Sequence, residues 1–568
     1  MDKSLSGKVS EISKNAMDKV NGLVGVEGLH INELPLKRVP SYMRRKGGIW
    51  YWTGALISMA FVYQVITGLV LLLYYDPSNA YNGTEFLITS VPYGALILST
   101  HLYGAYAMIV LIYVHMFRNY FTASYKKPRQ LQWILGVILL GLTLGVAYFG
   151  YSMTGDQLSL DATDVGRGIA ASTPILGTFL ETIVFGNGTA AGTFMRMLGW
   201  HIIFTALIGL VFGLHFYLAE SNTIMPSPED TNHKFPAVDK EKPEYRPWWP
   251  YNFAFMTQLA LFSFGLIILI PSIIAVIPNV PVLFSPFPIS PAQIPLVQSG
   301  VIPAYPPWFL LFLYKAVDFN IIPYEVGPLH GLAPYFVISL IFGGIPAVYL
   351  LILPFIDRSN DRHPFSRPII TGLGILTFIY LVVLSAWGAL SPGIQIPMIT
   401  VAVIFLVPFI IVMTGMLLVS REYKKGRLVI TANKLLTSYL AFIFIFIAAM
   451  LVFSQNVAAF MAHPNGLNLV SAIFTGGVTS FVAFGVMKSS DYTARLERET
   501  VTHAAFEISK NSGIVISAVL AFVTIILTYV MFTLNPITQA MEFGIGLGIV
   551  LILAGIIIRV YRLVEYHE

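Results

Sequence analysis

The chain has 568 residues, of which 56% are hydrophobic and only 11% charged, and its mean hydropathy is +0.73. Water-soluble domains carry about 25% charged residues, so a soluble enzyme, a disordered protein and a nucleic-acid binder are excluded. The net charge is +5 and there is no cysteine, which excludes disulfides, thiolate-held iron–sulfur clusters, covalent c-type haem and cysteine-bound zinc.

Residues 1–49 are polar and basic, with Leu5, Val9, Ile12 and Val20 spaced among charges. An amphipathic helix on the inner membrane surface and a frayed tail both fit them. A membrane-crossing helix needs about 20 apolar residues. Twelve such runs follow, near 51–75, 91–117, 132–152, 197–219, 252–276, 333–356, 369–390, 397–419, 431–453, 466–487, 512–533 and 540–560. The segment 156–186, between the third and fourth, reads as short helices on the membrane surface. Lysine and arginine gather in alternate loops: Arg44 and Arg45 before the first run, Lys126 and Arg129 after the second, Arg358 and Arg362 after the sixth. By the positive-inside rule these loops are cytoplasmic. The expectation is an all-α, polytopic bundle of about twelve spans in the plasma membrane, with both termini cytoplasmic. Four parts follow: an N-terminal segment 1–49, four-span units 50–222 and 223–425, and an extension 426–568.

Four histidines lie inside spans. His101 and His115 are in the second, His201 and His215 in the fourth, and each pair is separated by 14 residues. Fourteen residues make nearly four full turns, so each pair shares a helix face, about 21 Å apart along the axis. Both helices run from outside to inside, so His101 pairs with His201 near the outer surface and His115 with His215 near the inner one. A lone intramembrane histidine is ordinarily a polar contact or a proton step. Two matched pairs instead suit the two opposed axial ligands of an iron porphyrin, held twice. Gly54 and Gly68 in the first span, and Gly136 and Gly150 in the third, repeat the same spacing and make room for a flat ring. Ordinary helix packing by small residues is the bland alternative.

These features resemble cytochrome b of the quinol-oxidising cytochrome bc family. The resemblance adds Gln64-Val-Ile-Thr-Gly68, Gly150-Tyr151 with Gln157 and Ser159, and Pro174-Ile-Leu-Gly177. Arg196 stands before His201 and Arg118 after His115. Pro306-Pro307-Trp308-Phe309 with Tyr314 is similar to the family's Pro-Glu-Trp-Tyr element, and Arg367-Pro368 opens the seventh span. The match covers about 50–420. The departures are specific. Pro307 replaces the glutamate, and Leu98 an arginine often found before the first histidine. Phe253, beside Asn252, replaces an inner-site aspartate, and Asp156, Asp161 and Asp164 are gained.

The resemblance implies two b-type or related non-covalent haems, liganded by His101, His201, His115 and His215, with Arg196 and Arg118 as counter-charges to their propionates. It implies quinol oxidation in an outer pocket that contains Tyr151, Trp308 and Tyr314. That pocket would be walled by 153–170 and the proline-rich loop 277–332. With the glutamate gone, Asp161, and after it Asp318 and Glu325, stand as candidates for the proton-accepting base. The implied partners are a Rieske iron–sulfur protein, membrane lipid, and either haem–copper oxidase subunits or a cytochrome c or blue-copper acceptor. A twelve-span transporter and a di-haem dehydrogenase anchor remain as alternatives. The clustered histidines of a haem–copper oxidase centre are absent from the sequence.

Overall fold

A computed structural model of the chain describes residues 39–40, 51–186, 189–221, 245–246, 248–278, 284–288, 306–319, 334–359, 361–426, scattered positions between 449 and 482, and 508–566. The fold is that of an all-helical membrane protein, with ten helices among the described residues long and apolar enough to cross a bilayer. The expected spans near 431–453 and 466–487 lie largely outside the described residues.

The first unit contains α1 (Thr53–Leu72), α2 (Ala80–Ser90), α3 (Gly94–Phe121), α4 (Gln130–Ser152), α5 (Gln157–Ala171), α6 (Gly177–Phe185) and α7 (Ala190–Ser221). Helix α2 is a surface helix that the sequence reading leaves as loop; α5 and α6 are the surface helices expected in 156–186. Asp156 starts α5 by accepting a hydrogen bond from the Ser159 amide at 3.1 Å, which satisfies one of the free amides of a helix start. Helix α1 packs along α3, and α4 along α7. The two pairs face each other across a gap, and both histidine levels lie in it.

The second unit contains α8 (Phe253–Val276), the short outer helix α9 (Leu311–Val317), α10 (Pro334–Ser339) running on through a wider turn into α11 (Ile345–Ile356), α12 (Pro368–Leu390) and α13 (Met398–Lys424). Buried charges join the loops of the two units. The Asp357 carboxylate takes hydrogen bonds from the Tyr125 hydroxyl at 2.6 Å and from Arg367 at 3.2 Å, and it pairs with Lys126 at 3.2 Å. Arg367 also donates to the Phe121 carbonyl at 2.7 Å. The carboxyl is held below its ordinary value because the Tyr125 and Ser359 hydrogen bonds and the Arg367 and Lys126 charges outweigh its burial.

Helices α14 (Lys510–Met531) and α15 (Ala540–Glu565) form a hairpin, and α15 lies along α8 in the most extensive helix contact of the fold. Glycines make that contact close. A Cβ at Gly548 would lie 2.9 Å from the Gly265 carbonyl oxygen, the small-residue packing by which helices associate in lipid. Arg562 is fully buried there. It donates to Gln258 at 2.9 Å and lies 4.5 Å from the centre of the Phe255 ring. The strands among the described residues are two-residue segments, β1 (Val39–Pro40) and β2 (Tyr245–Arg246), paired antiparallel. They join two segments that the charge pattern puts on one side of the membrane.

Candidate functional site: two histidine levels and an outer cavity

Helix α3 carries His101 and His115, and α7 carries His201 and His215. The level nearer α5 and α9 is called outer, following the charge pattern. There the His101 and His201 ring centres are 6.4 Å apart, tilted by 60°. Two metal–imidazole bonds of about 2 Å, with roughly 1 Å from each ring nitrogen to its ring centre, span about 6 Å. One iron therefore fits between the rings.

Hydrogen bonds set which nitrogen faces inward. Thr67 Oγ1 donates to the Tyr63 carbonyl at 2.7 Å and lies 2.8 Å from His101 Nδ1. Its proton is committed, so His101 Nδ1–H is the donor. His201 Nδ1 lies 2.8 Å from the Val146 carbonyl, which can only accept. Both Nε2 atoms are left with a free lone pair, the form that ligates metal, with the second nitrogen oriented as in metalloprotein sites. At the inner level Thr53 Oγ1 stands 2.8 Å from His115 Nδ1. His115 and His215 interact electrostatically, and the Gln132 main chain faces His215 just outside hydrogen-bond geometry. The sequence reading missed these threonines. The signal was present: the dipeptide Thr-Gly recurs at 53–54 and 67–68 with the histidine period.

All four glycines meet histidine. A Cβ at Gly54 would lie 3.4 Å from His115 Cε1, at Gly68 3.2 Å from His101, at Gly136 3.3 Å from His215 and at Gly150 2.8 Å from His201. Their first task is thus to seat the imidazole edge, rather than only to clear a macrocycle as the sequence suggested. The gap opens into a cavity of about 450 Å³ that contains His101, His201, Gly68 and Gly150. Gln64 and Thr143 line it with buried side-chain polar atoms that have no protein partner. Buried polar atoms call for partners, so the crevice fits a bound group with polar edges. Histidine geometry and orphaned polar atoms together fit a bis-imidazole metalloporphyrin.

The arginines divide. Arg118 is buried, lies 4.7 Å from the centre of the Tyr51 ring and donates to Asn119 at 3.0 Å. Arg129 and Arg362 gather near it, both buried. Burial, then repulsion from Arg129 and Arg118, pushes the Arg362 guanidinium down to about 9. Arg129 is pushed down to about 10 by burial and by Arg118. Like charges crowded in one place favour an anion, as a porphyrin carboxylate would be. Arg196 instead packs against the loop at Gly186 and does not line the cavity.

The outer mouth of the cavity is lined by Tyr151, Thr154, Asp156 and Leu158 on one side and by 285–288 and Pro306, Pro307 and Trp308 on the other. Both expected walls are therefore present where they are described. The Trp308 ring meets Tyr106 edge-on at 5.8 Å. Tyr314 stands behind the wall and donates to the Ala162 carbonyl at 2.6 Å. Asp161 is half-buried next to it, close enough to Tyr314 and Tyr151 to interact electrostatically. Burial first, then Asp164 and Asp156, pushes the Asp161 carboxyl up to about 6. Asp161 does not itself line the cavity; Asp156 does, but its Oδ1 caps α5 and accepts from Thr154 at 2.8 Å. Asp318 is engaged by Lys315 at 3.1 Å and is absent from the cavity wall. Glu325 lies outside the described residues. Phe253 is exposed, whereas Asn252 beside it is fully buried.

A family model described as cytochrome b (N-terminal)/b6/petB matches residues 106–291. A cytochrome b of Sulfolobus acidocaldarius is 35% identical over 96% of this chain and 98% of its own length. A cytochrome bc complex cytochrome b subunit of Chlorobaculum thiosulfatiphilum is 31% identical over 62% of this chain and 76% of its own. A solved chain of a hyperthermophilic respiratory Complex III shares the fold, with a TM-score of 0.51 and 24% identity over 71% of this chain and 98% of that one. The chain therefore belongs to the cytochrome b family of bc-type complexes.

Proposed function

We propose that this chain is the haem-carrying, quinol-oxidising subunit of a respiratory bc-type complex. One observation carries the reading: the His101 and His201 rings lie 6.4 Å apart across the crevice, with Nδ1 of each engaged and Nε2 left free to ligate. Bound haem supplies a one-electron acceptor at each histidine level. His101 with His201 would hold one haem and His115 with His215 the other, the two histidine levels being about 21 Å apart along the helices. Gln64 and Thr143 offer polar contacts inside the crevice. Arg118, with Arg129 and Arg362 near it, would balance propionate charge at the inner level.

Quinol enters the outer mouth, where Tyr151 and Trp308 bound its ring and Tyr314 buttresses the wall. Two electrons leave it, one toward the outer histidine level and one to a Rieske iron–sulfur protein docked on the outer surface. Two protons leave as well, one with the Rieske protein and one to a base of this chain. Pro307 has no group to accept one, so Asp161 takes it, reached through one water behind the first layer of the wall. Its raised pKa suits a base working near neutral pH or in acid. Asp156 is a poorer base because hydrogen bonds from the Ser159 amide and Thr154 to its Oδ1 favour the carboxylate over its protonated form.

Twelve spans with cytoplasmic termini follow from the charge alternation, with boundaries near 49, 222 and 425. Electrons leave the complex through haem–copper oxidase subunits or a cytochrome c or blue-copper acceptor. The reading is tested by adding quinol to the purified complex. Two low-spin haem signals, both reduced by quinol, are expected. A complex with no haem signal would overturn the haem-carrying reading.

A further inference from the structure

Helix α9 is seven residues long and follows directly on the wall residue Trp308. A helix this short does not hold itself together in isolation, so its position depends on what it is fastened to. On one side Tyr314 donates to Ala162 in α5. On the other, Lys315 is completely buried. Its three ammonium donors are all used: Asp318 at 3.1 Å, the Ser391 carbonyl at 2.7 Å and the Ile394 carbonyl at 3.3 Å. The same ammonium lies 5.1 Å from the centre of the Trp387 ring. The Asp318 carbonyl accepts from the Ile396 amide at 2.8 Å, and Phe319 forms a bridge with Ile396. Gly388 lets the α9 backbone come close, since a Cβ there would lie 2.9 Å from the Leu311 carbonyl oxygen.

Apolar side chains in place of both members of the pair would cost little stability, because burying an ion pair costs about what it returns. What the pair adds is direction. Two of the three donors aim at the Ser391 and Ile394 carbonyls and so set the register of α9 against the turn 391–397, between α12 and α13, while the third, to Asp318 at the end of α9 itself, holds the ammonium in line. A slide of α9 along its axis would carry Trp308 and Tyr314 out of place together.

We propose that Lys315, paired with Asp318, is a positioning residue that latches α9 to that turn and so sets Trp308 and Tyr314 at the outer cavity. This rests on the reading of that cavity as the quinol site. It also gives Asp318 a role other than base.

The test uses the purified complex with haem content checked by spectrum, and compares Lys315→Met, Lys315→Arg, Asp318→Asn and the cavity probe Trp308→Ala. Quinol kinetics and amide exchange over 308–319 and 391–397 are measured on each. Lys315→Met is expected to keep both haems, speed exchange in these two segments and lower kcat/KM roughly tenfold, mainly through KM. That lies below the about 10²-fold cost of a 1 Å misplacement at a reacting centre. Lys315→Arg should recover most of the loss. If Lys315→Met fails to assemble, the near-isosteric Asp318→Asn carries the same expectation. Wild-type KM and exchange in Lys315→Met or Asp318→Asn, with Trp308→Ala impaired, overturn the latch while the quinol site stands. A silent Trp308→Ala removes the quinol site, and the latch's role in it, together.

Discussion

The two histidine levels share one framework and differ in their surroundings. Each has two imidazoles, two glycines and a threonine hydroxyl, repeated 14 residues apart along the same helices. Around the outer level lie tyrosines and carboxylates, with Asp161 pushed up to about 6 by burial and its acidic neighbours, and a 450 Å³ cavity opens there. Around the inner level lie Arg118, Arg129 and Arg362, where burial, and after it the neighbouring guanidinium charges, push Arg129 and Arg362 down. A repeat thus supplies the sites and the flanking loops supply their polarity. Acids at the outer end suit proton release. Cations at the inner end would favour the reduced, more negative form of a bound cofactor, so on the proposed reading both ends would bias an electron inward.

The largest effect comes from breaking one level and sparing the other. His201→Ala should abolish the outer low-spin haem and leave the inner signal, His215→Ala the reverse, and the double variant should show neither. Absorption and EPR spectra of the purified variants decide it. Retention of both haems in the double variant would falsify the ligand assignment.

Next is the acid that marks the outer end. Asp161→Asn should keep both haems and lower quinol turnover by roughly 10²-fold, as expected for loss of a general base. In the wild type turnover should rise with pH through about 6 as the carboxyl ionises, and the variant should lose this limb. The stability sign separates base from fold. The folded pKa is raised from 3.8 to about 6, so the associated stability is complete below pH about 4 and is lost as pH rises through 6. Asparagine has no charge to bury, so the variant should be no less stable than wild type at pH 7. A matching pH limb in Asp161→Asn would assign proton exit to another group.

What could be read from the sequence followed from period and composition. The ten described spans fall where the apolar runs stand, and the surface helices α5 and α6 fall in 156–186. The histidine frame was legible because 14 residues nearly complete four turns. Helix α2 was not, since an 11-residue surface helix of mixed polarity has no span-length run to announce it. The Lys315–Asp318 pair was legible as an i,i+3 pair; its burial was not, because burial depends on the distant Ser391 and Ile394. The meeting of Arg118 with Arg362 depends likewise on how two loops far apart in sequence fold together. Arg196 shows the reverse case, where nearness to a histidine in sequence did not bring the side chain to the cavity.

The smallest effect sharpens the comparison most finely, because the glycines of the two levels are not equally tight. An added methyl at Gly150 would stand 2.8 Å from His201 Cε1, closer than real side chains come, whereas at Gly54 it would stand 3.4 Å from His115, ordinary contact. His201 cannot move away freely, since Nδ1 is held by the Val146 carbonyl and Nε2 would be committed to iron. The Gly150→Ala strain therefore falls on the ring or on the α4–α7 spacing. Overpacking of this kind costs about 1–3 kcal/mol, and alanine in place of glycine inside a helix returns up to about 1 kcal/mol. At Gly54 the return stands nearly alone. Gly150→Ala should thus shift the spectrum or potential of the outer haem and lower its melting temperature. Gly54→Ala should leave the inner haem unchanged and the protein as stable or slightly more so. Equal effects at the two positions would mean that the glycines serve only helix packing, and the outer level would lose its claim to be the tighter seat.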